Sequence, residues 1–249
     1  MPQISGVHLS ILLLRLTNKY RHIFFDWDNT LWDFSANSEK ALSVLFSVYR
    51  FGRYFKDFET FHNIYKERNA QLWEDYAAGR IKREFLETER FEHPFRVVGC
   101  TDVEVIDALK VRYLELLGEQ TALKPGAREI LEYLKGRGVK LYIISNGFSA
   151  VQHLKIASSG LKDYFDRIYL SEDVKEHKPN KAFFDYMLKS SNARKRESLV
   201  VGDNFSADIT GSRNAGIDCV YYAPDYNGEP LNPKPDYIIK SLLELKELI

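Results

Sequence analysis

Two aspartates, Asp26 and Asp28, stand one residue apart where the apolar run Ile23-Phe24-Phe25 gives out, and Asn29-Thr30-Leu31 follow at once. Apolar residues running straight into charge suggest a buried strand that ends at a site. Carboxylates at i and i+2 just past a strand can converge on one cation. One of them, ionised at neutral pH, can also attack an electrophile. The same residues equally suit an Asx-rich turn, a common strand ending. The pair alone does not separate these readings.

Three further polar clusters lie downstream: Ser145-Asn146-Gly147, Lys178-Pro179, and Gly202-Asp203 with Asp208. Singly they read as a helix cap, a solvated lysine and a turn. Jointly they make coherent chemistry. Asp26, Asp28 and Asp203 offer hard oxygen ligands suited to Mg²⁺. The hydroxyl of Ser145 and the amide of Asn146, beside a helix start, can donate to phosphate oxygens. Lys178 supplies a point charge for the same group or for the nucleophile. Cation and lysine together offset the repulsion between carboxylates and a phosphate dianion.

These clusters need strands to carry them. Arg21 to Phe25, Val139 to Ile144, Arg167 to Leu170, Ser198 to Val201, Asp218 to Tyr222 and Asp236 to Lys240 read as strands. Helical patterns separate them, from Pro125-Gly126 to near Gly136, about Ala150 to Gly160, Asn180 to Ser190, about Ala207 to Ala215, and Leu242 to Ile249. Such alternation predicts an α/β fold, a doubly wound parallel sheet with helices on both faces. Ligands bind such sheets beyond the carboxyl ends of the strands, where all four clusters fall.

Residues from about 36 to 117 differ. Phe58, Phe61, Tyr65, Leu72 and Tyr76 recur mostly at three or four, Gly79 is a stop signal, and Thr101-Asp102-Val103-Glu104 has capping-box spacing. About four helices are expected, inserted after the first strand. Their aromatics Phe55, Phe58, Phe61, Trp73, Phe85 and Phe91 read as core.

Length and charge narrow the classes. The 249 residues carry 35 basic and 35 acidic side chains, a formal net charge of +0, which argues against nucleic-acid or membrane binding through a global field. Cys100 and Cys219 match no metal-ligand spacing and point to a reduced, cytoplasmic setting. The mostly apolar run Val7 to Leu16, interrupted by Arg15, is too short to span a bilayer, and residues 1–18 lack a signal peptide's layout. They are expected to be an N-terminal extension, for which a start-site artefact is one account.

The four clusters resemble the four motifs of the haloacid dehalogenase-like hydrolases. The matching segments are Phe25-Asp26-Trp27-Asp28-Asn29-Thr30, Ile144-Ser145-Asn146-Gly147, Lys178-Pro179, and Gly202-Asp203-Asn204-Phe205-Ser206-Ala207-Asp208. The resemblance extends from about residue 20 to 249. It implies a Rossmann-like core of residues 19–35 and 121–249, with 36–120 as an inserted helical cap of type I. By the same resemblance, Asp26 is the nucleophile that becomes an aspartyl-phosphate, and Asp28 is the acid and then the base. Asp26, Asp203 and the main-chain carbonyl of Asp28 would hold Mg²⁺. Ser145, Asn146 and Lys178 would bind the phosphate, with Asp208 orienting Lys178 and Thr30 and Asn204 supporting from behind. Dehalogenases of this family lack an acid at the second aspartate's position, so Asp28 favours phosphate-ester hydrolysis.

A narrower resemblance, to the bacterial pyrimidine 5'-nucleotidase branch, rests on several longer segments. They are Asn69-Ala70-Gln71-Leu72-Trp73-Glu74-Asp75-Tyr76 with Gly79 and Ile81, Arg90-Phe91, Asn146-Gly147-Phe148, Gly160-Leu161-Lys162-Asp163-Tyr164-Phe165-Asp166 and the stretch Lys178 to Tyr186. It implies hydrolysis of (deoxy)nucleoside monophosphates by a monomer or homodimer. A sugar phosphate or phosphoglycolate remains the alternative substrate, and a non-catalytic phospholigand module the alternative class. Trp27 and Asn29 fill variable positions. Glu176-His177 stands before Lys178, where the family more usually has small residues.

Overall fold

The computed structural model describes residues 19–100 and 103–249, without the side chains of residues 103–105. The expected extension 1–18 lies outside the described residues, as do Thr101 and Asp102 of the expected capping box and the side chains of its Val103 and Glu104.

Six strands form one sheet in the order β3-β2-β1-β4-β5-β6, every neighbouring pair parallel. They are β1 (His22–Asp26), β2 (Lys140–Ser145), β3 (Arg167–Leu170), β4 (Ser198–Gly202), β5 (Asp218–Tyr222) and β6 (Tyr237–Ile239). Strands β1 and β4 are buried at every position, as expected for parallel strands covered on both faces. Phe24 anchors one side. Its ring stacks on Tyr142 with centroids 4.6 Å apart, and Phe183, Phe184 and Met187 close the cluster. The chain leaves β1 towards β2 and β3, then returns to place β4 on its other flank. That reversal is the switch point where ligands bind in doubly wound sheets.

The structure divides into two compact units. The sheet belongs to the first, which runs through Asp33, Leu123–Ser149 and Ser159–Ile249. The second comprises Phe34–Ala122 and Ala150–Ser158. Four helices build most of it: α1 (Phe34–Val48), α2 (Phe58–Ala77), α3 (Arg83–Val97) and α4 (Val103–Gly118). The Asp57 side chain caps α2 by accepting from the Thr60 N–H at 2.8 Å. Phe51 packs edge-on against Phe95 and Phe61, with centroids 4.9 and 5.4 Å away. Phe55, Phe61 and Phe91 are buried, but Phe85 is 49% exposed. The buried positions of α3 are Leu86, Glu89, Arg90, Phe91, Pro94 and Phe95, so Phe85 falls off the inward stripe.

Helix α5 (Ala127–Gly136) leads into β2, and α6 (Ser149–Ser158) follows it. Nearly all of α6 counts with the helical unit, where Leu154 lies against Gly118 and Lys155 lies over the Phe34 ring. The short α7 (Ser171–Val174), α8 (Lys181–Ser191), α9 (Gly211–Ala215) and α10 (Leu245–Leu248) complete the first unit. The expected helix from about Ala207 begins earlier, as a π-helical turn over Phe205–Thr210. Asn204 starts it by accepting from the Ala207 N–H at 2.9 Å. Among the described residues, no helix is long and apolar enough to cross a membrane.

Truncating Phe24 to Ala should cost about 3–5 kcal/mol of unfolding free energy. Phe85→Ala should stay within about 0.5 kcal/mol of the parent, as exposed positions do. Urea unfolding of both variants checks the contrast, and equal losses would contradict this placing of the core.

Candidate active site

Register brings the clusters together. Asp26 is level with Ile144 of β2, and Phe25 with Val201 of β4. Asp26, Ser145 and Gly202 therefore end three adjacent strands almost flush. Beyond β1 the chain turns sharply. Asn29 takes a left-handed conformation, with φ of 61°, and donates its N–H to the Trp32 carbonyl at 2.7 Å. Leu31 and Trp32 both donate back to the Trp27 carbonyl. The Asx-type turn and the site are thus the same segment. Asp28 sits half-buried in it, while Trp27 is wholly buried.

Lys178 ties the strand ends together. Its ammonium, only 1% exposed as a residue, donates to Asp26 Oδ1 at 2.6 Å, Asp208 Oδ1 at 2.7 Å and the Ile144 carbonyl at 3.2 Å. The other Asp208 oxygen accepts from the Asn204 N–H at 3.1 Å. Thr30 donates its hydroxyl to Asp203 Oδ1 at 2.9 Å. One carboxylate oxygen from each of Asp26, Asp203 and Asp208 lies within 4.8 Å of the others. Both oxygens of Asp208 are already engaged, so Asp26 and Asp203 are the pair open to a cation. Hard carboxylate oxygens at this separation fit a divalent ion such as Mg²⁺.

Charge at this site is unbalanced. Burial pushes Asp26 well above the usual carboxylate range, against the pull of Lys178 and with the help of Asp208 and Asp203. Burial, then the Asp208 charge, pushes Asp203 up to about 7 despite the Thr30 hydrogen bond. For Lys178 burial alone would lower the pKa, but the carboxylates of Asp208 and Asp26 outweigh it and raise it. One ammonium faces three carboxylates, and a cation would relieve the remainder.

Asn146, whose amide was expected to donate to phosphate, also has a structural task. Its carboxamide donates to the Lys178 carbonyl at 2.8 Å and accepts from the Lys178 N–H at 2.9 Å. The side chain thus clamps the lysine's peptide with one of its two N–H groups, and the second N–H and the main-chain N–H remain for another acceptor. Ser145 Oγ, 2% exposed as a residue, accepts from the Gly147 N–H at 3.1 Å. His177 lies half-buried in the loop before Lys178, where burial lowers its pKa.

Sequence reasoning missed why a glycine precedes Asp203. A Cβ on Gly202 would lie 2.2 Å from Asp208 Oδ2 and 2.6 Å from Asp208 Cβ. Only a residue without a side chain lets the Asp208 carboxylate fold back under β4. Spacing gave no sign of it, because Gly-Asp after a strand also reads as a plain turn.

The chain belongs to the haloacid dehalogenase-like hydrolases, whose family model matches residues 20–216. It is a hydrolase of that family. Among curated relatives it is 33% identical to pyrimidine 5'-nucleotidase YjjG of Escherichia coli, over 93% of this chain and 98% of that one. It is 30% identical to pyrimidine 5'-nucleotidase PynA of Streptococcus pneumoniae, over 92% of this chain and 95% of that one. Among solved structures, HAD-hydrolase YfnB from Bacillus subtilis, bound to magnesium, superposes with a TM-score of 0.83 at 30% identity, covering 93% of this chain and 99% of that chain.

Gly202→Ala should lower stability by about 1–3 kcal/mol, the usual cost of overpacking, because Asp208 must leave its place beside the strand. Chemical denaturation measures this, and an unchanged midpoint would mean that Asp208 rests elsewhere.

Proposed function

We propose that this chain is a Mg²⁺-dependent phosphomonoesterase that hydrolyses nucleoside and deoxynucleoside 5'-monophosphates, pyrimidine nucleotides preferred. The buried Lys178 ammonium, bonded to both Asp26 and Asp208 with Asp203 alongside, carries the reading. It holds one carboxylate oxygen in a fixed direction beyond the strand ends, as an in-line attack requires. Likeness to two pyrimidine 5'-nucleotidases supports the substrate class.

In the first half-reaction Asp26 attacks phosphorus and the ester P–O bond breaks. Asp28 gives its proton to the departing nucleoside oxygen. In the second, Asp28 takes a proton from water, whose oxygen attacks phosphorus, and the bond to Asp26 breaks to release phosphate. Lys178 keeps Asp26 aligned and draws on the phosphate's charge, with Asp208 fixing the lysine. Ser145 and the main chain at Asn146 bind the phosphate oxygens. The carboxylates of Asp26 and Asp203 and the main-chain carbonyl of Asp28 would hold Mg²⁺, which supplies positive charge against the transferring phosphoryl group. The helical unit acts as a cap that selects the leaving group. Asp28 separates this chemistry from dehalogenation, because a halide leaves without a proton and a nucleoside alkoxide does not. Two cysteines with no disulfide between them suit a cytoplasmic enzyme.

Purified protein should release inorganic phosphate from UMP and dUMP with Mg²⁺ and stop with EDTA. Asp26→Asn should lower turnover by at least roughly 10³-fold, and undiminished phosphate release would remove Asp26 as nucleophile. A second prediction concerns pH. Proton and cation compete at Asp203, whose carboxyl sits up at about 7 without a cation. The protonated form dominates below that value and the ionised form above it. Apparent Mg²⁺ affinity should therefore rise as pH climbs from about 6 to 8. Calorimetric titration across that range tests it, and a flat profile would place the proton elsewhere.

A further inference from the structure

The loop after β2, Asn146-Gly147-Phe148-Ser149, is held from outside itself. It runs directly into α6, and the first N–H groups of a helix have no partner within it. A Ser, Thr, Asn or Asp just before the first turn usually serves one of them from its side chain. Here Phe148 holds that place, apolar and 3% exposed. The Ser149 N–H donates instead to Glu172 Oε2 at 2.6 Å, 23 residues along the chain.

Strand register explains how Glu172 reaches the loop. Ser145, the last residue of β2, is level with Leu170, the last of β3. Ser171 and Glu172 come next and open α7, so they stand level with the loop. Ser171, 1% exposed, donates its hydroxyl to the Asn146 carbonyl at 3.3 Å, and Glu172 is half-buried. These two neighbours hold the loop at its first and last residues. From the other side the Asn146 carboxamide grips the Lys178 peptide, and Ser145 Oγ accepts from the Gly147 N–H.

Charge makes the choice of residue informative. A carboxylate at a helix N-terminus is favourable in itself. It also occupies the helix end that another anion would use. The loop beside it is the segment proposed to receive a phosphate dianion, and like charge there opposes binding. A fold that needed only a cap could take it from a neutral side chain at position 148. A carboxylate reaching over from the end of β3 instead ties the loop to the sheet. It also leaves Ser145, the main chain at Asn146 and Lys178 as the phosphate's donors.

We infer that Glu172 is a positioning residue for phosphate binding. By holding the Ser149 N–H it fixes the loop that presents Ser145 and the main chain at Asn146, and it closes the start of α6 to the anion. Ser171 acts with it at the other end of the loop. This rests on the proposed phosphomonoesterase reading and extends it to a segment outside the four clusters that carry the chemistry.

The test uses the full chain with Mg²⁺, inorganic phosphate as the probe in calorimetric titration, and p-nitrophenyl phosphate as substrate. Glu172→Asp keeps the charge and withdraws the acceptor by one methylene. Glu172→Gln keeps the acceptor and removes the charge. Glu172→Asp should bind phosphate roughly tenfold more weakly and raise KM by a similar factor, as expected for one lost hydrogen bond to a charged group. Glu172→Gln should recover the parent's affinity to within about threefold. The Ser149 amide hydrogen should exchange quickly in Glu172→Asp and slowly in Glu172→Gln and the parent. A merely structural role would lower Tm or the folded fraction, reducing kcat at unchanged KM and phosphate affinity, and that result in Glu172→Asp overturns the proposal. So does Glu172→Gln binding as weakly as Glu172→Asp, which would trace the effect to charge. If the parent cleaves p-nitrophenyl phosphate and Glu172→Asp matches it in KM, the positioning role falls while phosphomonoesterase activity stands. If the parent cleaves neither it nor any nucleotide, the activity reading fails and the phosphate titration alone decides the role of Glu172. A parent that binds no phosphate overturns both.

Discussion

A lysine ammonium buried between two carboxylates is the constraint around which the strand ends are arranged. Such a group is a demanding tenant. Removing Lys178, Asp26 and Asp208 from water costs several kcal/mol per ion, and only close, well-directed pairing returns it. The distances of 2.6 and 2.7 Å meet that demand. Holding them takes the surrounding chain. The Asn146 carboxamide grips the Lys178 peptide from both sides. The Ile144 carbonyl takes a third ammonium bond. Gly202 leaves the gap into which Asp208 folds, and the Asn204 N–H fixes its far oxygen. Residues from β1, β2, β4 and the loop before α8 thus share one electrostatic centre, and the parallel register of the sheet is what lets them meet.

The strand ends are short of positive charge. Near β1 and β4 burial, with the neighbouring carboxylates adding to it, raises Asp203 to about 7 and Asp26 well above its usual range. Folding stability does not explain this arrangement, since apolar residues of similar volume would be easier to bury. In the proposed function it is binding capacity for a cation and a phosphate.

The sheet was legible because its strands are almost wholly apolar and end abruptly in charge. Ile23-Phe24-Phe25 before Asp26 and Leu199-Val200-Val201 before Gly202 leave little alternative. The parallel, doubly wound class followed from alternation with helices. Less legible was anything set by side-chain competition. Asn146 looked like a phosphate donor because its type and place suit that task, and nothing in the spacing showed that its side chain also clamps the Lys178 peptide. Phe85 looked like core by composition, yet the helical phase of Leu86, Arg90 and Phe91 turns it outward. The need for glycine at 202 was invisible, since it is set by Asp208, which only the fold brings beside it.

Substrate choice cannot come from the shared scaffold, because this sheet serves more than one chemistry. It must lie in side chains that the fold tolerates but does not require. Asp28 is one such residue. The turn that carries it is held by main-chain bonds from Asn29, Leu31 and Trp32. In the proposed reaction its carboxyl meets a leaving group that must be protonated, which a halide is not.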